Sequence, residues 1–192
     1  MLNIYMLKRS LDLMMAMILS VFFVVPFLLV AVAVWLTSKG GVFYWSDRVG
    51  RDNLLFRMPK FRSMQIETPS VATHLLDDPL NYLTPIGGFL RKTSLDELPQ
   101  LWSILRGDMS FVGPRPALYN QYDLIRLRTE EGIHVLRPGL TGWAQVNGRD
   151  ELPIPEKVKF DAEYKYRQSL LFDVKIIFIT ARKVIRRDGV VH

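Results

Sequence analysis

The 192-residue chain has no cysteine, which excludes disulfides, thiol nucleophiles and cysteine-ligated zinc and suits a reducing compartment. Its three histidines, His74, His134 and His192, are isolated from one another and show no metal-ligand spacing, so surface or satisfied-core roles are expected. No GxxxxGK(S/T) run, no GxGxxG after a strand pattern and no D-x-D pair occurs. The common phosphate-cradling loops, and the acidic pair of many metal-dependent nucleotide-sugar glycosyltransferases, are therefore missing. Repeats and low-complexity tracts are absent as well.

Charge is missing from one long stretch, Leu13 to Leu36, while the remainder is mixed, polar and basic. This is the pattern of a membrane segment, and the apolar run is too long for a signal peptide. A straight helix over it would extend ~36 Å, enough to cross a hydrocarbon core ~30 Å thick. Pro26 falls near its middle, where the missing N–H predicts a kink and a freed carbonyl that lipid cannot hydrate. Lys8 and Arg9 precede the segment, and Lys39, Arg48 and Arg51 follow it, so both flanks carry the positive charge expected on the cytoplasmic side. A re-entrant helical hairpin over residues 1–38 accommodates both features; a spanning helix that tolerates the proline is the alternative.

The net charge of +6 suits an anionic partner such as phospholipid or nucleotide. Two segments fit a membrane surface: the basic and aromatic run around Lys60, Phe61 and Arg62, and the C-terminal LLFDVKIIFITARKVIRR, read as an amphipathic helix. A solvated basic loop and plain core packing are the competing readings. Residues 39–192 form one small domain of α+β type, mostly helical. Gly40 to Gly50 reads as a strand and turn, and Leu54 to Met64 as a second extended segment. After a polar loop over 67–85 come a helix from Ser94, a turn over Gly107 to Pro116, and an amphipathic helix through Leu118, Tyr122, Ile125 and Leu127. Asn147-Gly148 ends a short apolar run as a tight-turn signal, with an ordinary hairpin as the plain reading of 137–149. Ala162 to Arg167 and the C-terminal segment read as helical.

Chemistry concentrates between Arg91 and Pro116, in RKTSLDELPQLWSILRGDMSFVGPRP. Ser94 and Glu97 match a capping box ahead of Leu98, Leu101, Trp102 and Leu105, which predicts a helix starting at Ser94. Asp96 and Glu97 then lie in its first turn, where the macrodipole favours negative charge, so Asp96 is expected to stay ionised as a nucleophile or metal ligand. The same residues also suit a purely structural part, with Glu97 as capping acid and Asp96 as a first-turn charge. Arg115, between Pro114 and Pro116, is held extended and is suited to grip phosphate oxygens through paired N–H donors.

Three segments, FRMPKFRSM, FLRKTSLDELPQLWSILRGDMSFVGPRP and RPGLTGWAQVNGR, follow the hydrophobic segment in that order and closely resemble the bacterial sugar transferase family. More narrowly they resemble its small monotopic polyprenyl-phosphate glycose-1-phosphate transferases, the phosphoglycosyl transferases that begin assembly of O-antigen, capsule, exopolysaccharide or protein-linked glycans. The resemblance covers nearly the whole chain. It implies transfer of a sugar 1-phosphate from a UDP-sugar to polyprenyl phosphate, with release of UMP, at the cytoplasmic face of a bacterial inner membrane. On that analogy Asp96 forms a phosphosugar-aspartyl intermediate and contacts Mg²⁺, and Glu97 deprotonates the lipid phosphate. Arg115 binds phosphate, Arg91 supports the site, and Lys60 and Arg62 are further candidates; Asp108 caps the turn. The implied partners are a UDP-sugar, polyprenyl phosphate and the lipid bilayer, with a homodimer left open and no nucleic acid. One departure concerns the Ser-Pro pair that members often carry at the membrane-helix break, since here Val25 precedes Pro26. The extra spanning helices of longer relatives are not present, so a minimal catalytic version is expected. Two other classes compete: a membrane-anchored glycosyltransferase that releases UDP, and a non-enzymatic basic adaptor that binds anionic lipid.

Overall fold

The computed structural model describes residues 2–69, 71, 78–148 and 152–186. His74, Arg149, Arg187 and His192, singled out in the sequence, lie outside them. Eight α-helices and two two-stranded sheets are described, a mostly helical α+β arrangement.

Helices α1 (Leu2–Phe22) and α2 (Val24–Thr37) form the apolar N-terminal pair, bent by 63° at Phe23. The bend falls three residues before Pro26, not at the proline itself. Pro26 has no N–H for the carbonyl of Phe22, the acceptor one turn earlier, so the helical ladder loosens ahead of the ring. No single described helix is long and apolar enough to cross a membrane; the bent pair passes that test by length and composition.

Strands β1 (Phe43–Val49) and β2 (Leu55–Phe61) pair antiparallel, with Phe43 opposite Phe61 and Val49 opposite Leu55, as the two extended segments predict. Alternation along β2 sends Phe61 and Lys60 to opposite faces. Phe61 stacks with Phe43 at 5.5 Å between ring centroids and meets Phe27 of α2 at 4.8 Å. Val30, Val34 and Leu90 close this small apolar cluster, so α2 is seated directly behind the strand that carries Lys60.

The helix expected to begin at Ser94 is interrupted. Helix α3 (Gly87–Thr93) ends at Ser94, whose left-handed backbone (φ 58°) returns its N–H to Arg91 and whose side chain makes no capping hydrogen bond. A 3-10 turn, Leu95–Glu97, follows, and α4 (Gln100–Arg106) begins only after Pro99. Pro99 has no N–H to offer Leu95, so an α-helical ladder cannot run unbroken from Ser94. The capping box is therefore not formed, although the acidic pair does sit at the head of a helical segment. Gly107, at φ +98°, ends α4 in the left-handed conformation glycine tolerates best.

The stretch 107–116, expected as a turn, contains strand β3 (Ser110–Val112), which pairs in parallel with β4 (Gly139–Thr141). The close approach requires glycine: a Cβ at Gly113 would lie 2.4 Å from the Arg137 carbonyl oxygen, and one at Gly139 would lie 2.1 Å from the Gly113 nitrogen. Residues 137–148 are thus no hairpin, because β4 finds its partner in β3 and the chain turns into α6 (Trp143–Asn147). Helix α5 (Tyr122–Glu130) starts later than expected and leaves Leu118 in a bridge to Arg48. Helices α7 (Ile154–Arg167) and α8 (Leu170–Arg186) complete the described chain.

The main core gathers Ile104, Met109, Phe111, Leu124, Tyr164 and Ile176 around β3. Helix α1 is tied into it by polar groups that are costly to bury unless partnered. Arg9 donates to the carbonyls of Ile104 (2.6 Å) and Leu105 (3.0 Å), at the C-terminal end of α4. Asp12 accepts from the backbone N–H of Phe111 at 3.2 Å. Lys8 reaches Asp173 of α8 at 2.6 Å, and the other oxygen of Asp173 accepts from the Tyr164 hydroxyl at 2.8 Å. On its outer side α8 shows Leu171, Val174 and Phe178 to solvent, an apolar stripe at helical spacing.

Candidate active site

Four of the six site residues read from the sequence are linked by ion pairs into a single cluster. Asp96 and Glu97 occupy the 3-10 turn after α3, and Lys60 projects toward them from β2. The Lys60 ammonium lies 2.7 Å from Glu97 Oε1 and 3.8 Å from Asp96 Oδ2. Arg115, from the loop after β3, brings Nη2 to 3.5 Å from the same Glu97 oxygen. Arg91, in the last turn of α3, donates to Met64 Sδ at 3.1 Å, and its charge acts on Asp96. Arg62 is used differently: it donates to the carbonyls of Gly41 (2.8 Å) and Phe43 (3.3 Å), stapling the entry to β1. Asp108 forms a 3.2 Å ion pair with Arg106 at the end of α4.

The two carboxyls are driven apart electrostatically. Burial raises the pKa of Asp96 above the usual carboxylate range and the neighbouring Glu97 charge adds to this, outweighing Lys60, Arg91 and Arg115. Glu97 also meets a burial penalty, but the charges of Lys60 and Arg115, with their hydrogen bonds, bring it down to about 2. Desolvation thus opposes the ionisation of Asp96 that first-turn placement is expected to favour. A single 3-10 turn offers little macrodipole, and desolvation is the larger effect.

Among the described residues there is no group of three or more His, Asp or Glu able to hold a metal ion. The donor set suits a hard cation bound through one carboxylate, substrate phosphate oxygens and retained waters, which is how Mg²⁺ commonly binds. Of the two carboxylates Asp96 is the one that could serve such a cation, because Lys60 lies nearer to Glu97 and Arg115 pairs with Glu97.

The GPRP loop is anchored by its carbonyls, since Pro114 and Pro116 have no N–H to give. The Pro114 oxygen accepts from Gly139 N at 2.9 Å, and that of Pro116 accepts from Arg48 Nη1 at 3.1 Å. Ala117 O accepts from Val49 N at 2.9 Å. The Arg115 carbonyl accepts from Arg128 Nη1 at 2.8 Å, and Arg128 in turn donates through Nε (2.9 Å) and Nη2 (2.6 Å) to Asp161 Oδ2. Neither Arg128 nor Asp161 was visible as a site residue in the sequence. They are 33 positions apart on α5 and α7, and no local pattern marks such a pair.

The model of the family described as bacterial sugar transferase matches residues 3–187. The chain is 41% identical over 187 residues to the UDP-glucose:undecaprenyl-phosphate glucose-1-phosphate transferase of Escherichia coli strain K12, an alignment spanning 93% of this chain and 40% of that protein. It is 36% identical over 200 residues to the undecaprenyl-phosphate galactose phosphotransferase of Salmonella typhimurium, spanning 95% of this chain and 41% of that one. The uncharacterized sugar transferase EpsL of Bacillus subtilis is 40% identical over 186 residues, with 96% of this chain and 90% of that protein aligned. The chain therefore spans about two fifths of the first two relatives and nearly all of the third. On the family match and these identities, the chain belongs to the bacterial sugar transferase family.

Proposed function

We propose that the protein transfers a sugar 1-phosphate from a UDP-sugar to undecaprenyl or a similar polyprenyl phosphate and releases UMP. The observation that carries this reading is the convergence of Lys60 and Arg115 on the adjacent carboxylates Asp96 and Glu97. The activities for which the E. coli and Salmonella relatives are named support it. In the first half-reaction an Asp96 carboxylate oxygen bonds to the sugar-bearing β-phosphorus, and the bond from that phosphorus to the bridging oxygen breaks as UMP departs. In the second, an oxygen of the lipid phosphate attacks the same phosphorus and Asp96 is released, while Glu97 takes up the lipid phosphate proton once substrate phosphates draw Lys60 and Arg115, which hold its pKa near 2 in the resting site, away from it. Lys60, Arg91 and Arg115 hold the diphosphate oxygens in line for displacement. Mg²⁺ bound beside Asp96 would supply further neutralisation of the diphosphate.

The reaction is assigned to the cytoplasmic face of a bacterial inner membrane, with the α1–α2 pair re-entering on the side it left. Support comes from packing at both ends of the pair. Asp12 and Ala16 of α1 and Val30 and Val34 of α2 are buried against the same folded unit. The exposed apolar residues Met17, Ile18, Val21, Phe22, Val25 and Leu29 lie around the bend, where a bilayer would receive them. The outward stripe of α8, with Lys175 alongside, suits the interfacial plane. A screen of UDP-sugars with polyprenyl phosphate, reading the nucleotide product, tests the proposal. UMP is expected; UDP would identify a glycosyltransferase, and no nucleotide from any donor would favour a lipid-binding adaptor.

A further inference from the structure

We infer that Arg128, oriented by Asp161, is a positioning residue that sets the reach of Arg115 toward the diphosphate, an inference that rests on the function proposed above. The neighbouring carbonyls of Pro114 and Pro116 are held by Gly139 N and Arg48, and that of Arg115 itself meets the guanidinium of Arg128 at 2.8 Å. Pro114, Pro116 and Ala117 are buried, and beside them Arg115, Arg128 and His134 line a partly open cavity of about 30 Å³.

The Arg128–Asp161 pair is poorly suited to being a stability element alone. Arg128 is 8% exposed and Asp161 1%, and Asp161 Oδ1 has no hydrogen-bond partner among the described residues. A buried ion pair with an unsatisfied oxygen does not repay its desolvation well, and apolar replacements of similar volume are often neutral or stabilising. What such replacements cannot reproduce is the third donor. Two N–H groups of the guanidinium are taken by Asp161, which fixes the plane of the fork and aims Nη1 at the loop carbonyl. Arg115 Nη2 then falls 3.5 Å from Glu97, within the cluster that faces substrate.

A mutant cycle separates positioning from stability. The double variant Arg128→Met/Asp161→Leu should melt within a few degrees of the parent, yet its KM for the UDP-sugar should rise about tenfold with a smaller change in kcat, as displacement of a substrate clamp demands. Arg115→Met should cost much less in that background than in the parent, because the clamp is already misplaced. Unchanged kinetics in the double variant, or an equal loss from Arg115→Met in both backgrounds, would overturn the inference. If the double variant does not fold, the same cycle is run on Arg128→Lys, whose ammonium keeps the ion pair but lacks the fork. A parent that releases no UMP sinks the proposed function separately. The cycle is then read from calorimetric binding of inorganic pyrophosphate: coupling between Arg128 and Arg115 sustains the inference, and additivity or absence of binding rejects it.

Discussion

Lys60 Nζ stands 2.7 Å from Glu97 Oε1, closer to this carboxylate than to its neighbour Asp96. Glu97 therefore carries its charge into a partly buried site, with its pKa lowered from 4.5 to about 2. A folded pKa below the unfolded one contributes stability that is present above pH 4.5 and is lost as pH falls toward 2. The stability difference between wild type and Glu97→Gln should be on the order of 2 kcal/mol at pH 7 and should shrink steadily below pH 4.5. Denaturant unfolding at a series of pH values measures it, and a difference independent of pH would remove the ion pair as its source.

Asp96→Asn should reduce UMP release by at least about a thousandfold, since the amide is a far weaker nucleophile. The fold should not suffer. Burial raises the Asp96 pKa, so ionisation costs stability as pH rises above the ordinary value, and a neutral amide avoids that cost. The melting temperature at pH 7 is expected to equal or exceed that of wild type. Glu97→Gln should also impair turnover severely, but with a lower melting temperature, and the opposite ordering of the two melts would contradict the electrostatic assignment.

Lys8→Met leaves the buried Asp173 without its cation, with only the Tyr164 hydroxyl remaining on its other oxygen. Loss of one partner of a buried pair costs about 3 kcal/mol. Thermal unfolding in detergent should show it, and adding Asp173→Asn should recover part of the loss by removing the uncompensated charge. A Lys8→Met variant as stable as wild type would mean that this contact does not secure α1 to the catalytic unit.

The acidic pair and Arg115 were legible as candidates because they stand in one short segment whose residue types suggest phosphate chemistry, whereas Lys60 lies in a run that reads as a basic membrane-surface segment and became a candidate only through the family resemblance. The hairpin of β1 and β2 was legible for a similar reason, since its two strands are long and close in sequence. Ser94 misled because the capping-box pattern ignores Pro99, which breaks the ladder five residues later. Strands β3 and β4 escaped notice because three residues leave no periodicity, and their parallel pairing joins Ser110 to Gly139 across α5. The ties of Lys8, Arg9 and Asp12 were hidden too: a charged flank before an apolar run reads as a topology signal, while its partners lie 95 or more residues away.

If the bent pair is re-entrant, single cysteines placed at Tyr5 and Tyr122, both exposed, should react equally with a membrane-impermeant thiol reagent in sealed vesicles. The native chain contributes no background, having no cysteine. Pro26→Ala restores an N–H for the Phe22 carbonyl and should straighten the pair, shifting part of the population to a spanning form with opposite labelling. Opposite labelling in the parent would establish spanning instead.

A covalent intermediate on Asp96 makes the two half-reactions separable. With a UDP-sugar and Mg²⁺ but no lipid acceptor, the enzyme should release about one equivalent of UMP and gain the mass of the phosphosugar. Labelled UMP should then exchange into the UDP-sugar through reversal of that step, and steady-state kinetics with both substrates should follow a ping-pong pattern. Asp96→Asn should abolish exchange. Glu97→Gln should retain more exchange than full turnover, because its proton-transfer task belongs to the lipid half-reaction. An enzyme competent for turnover that shows neither exchange nor adduct would point to direct attack by the lipid phosphate, leaving Asp96 as a ligand for the metal.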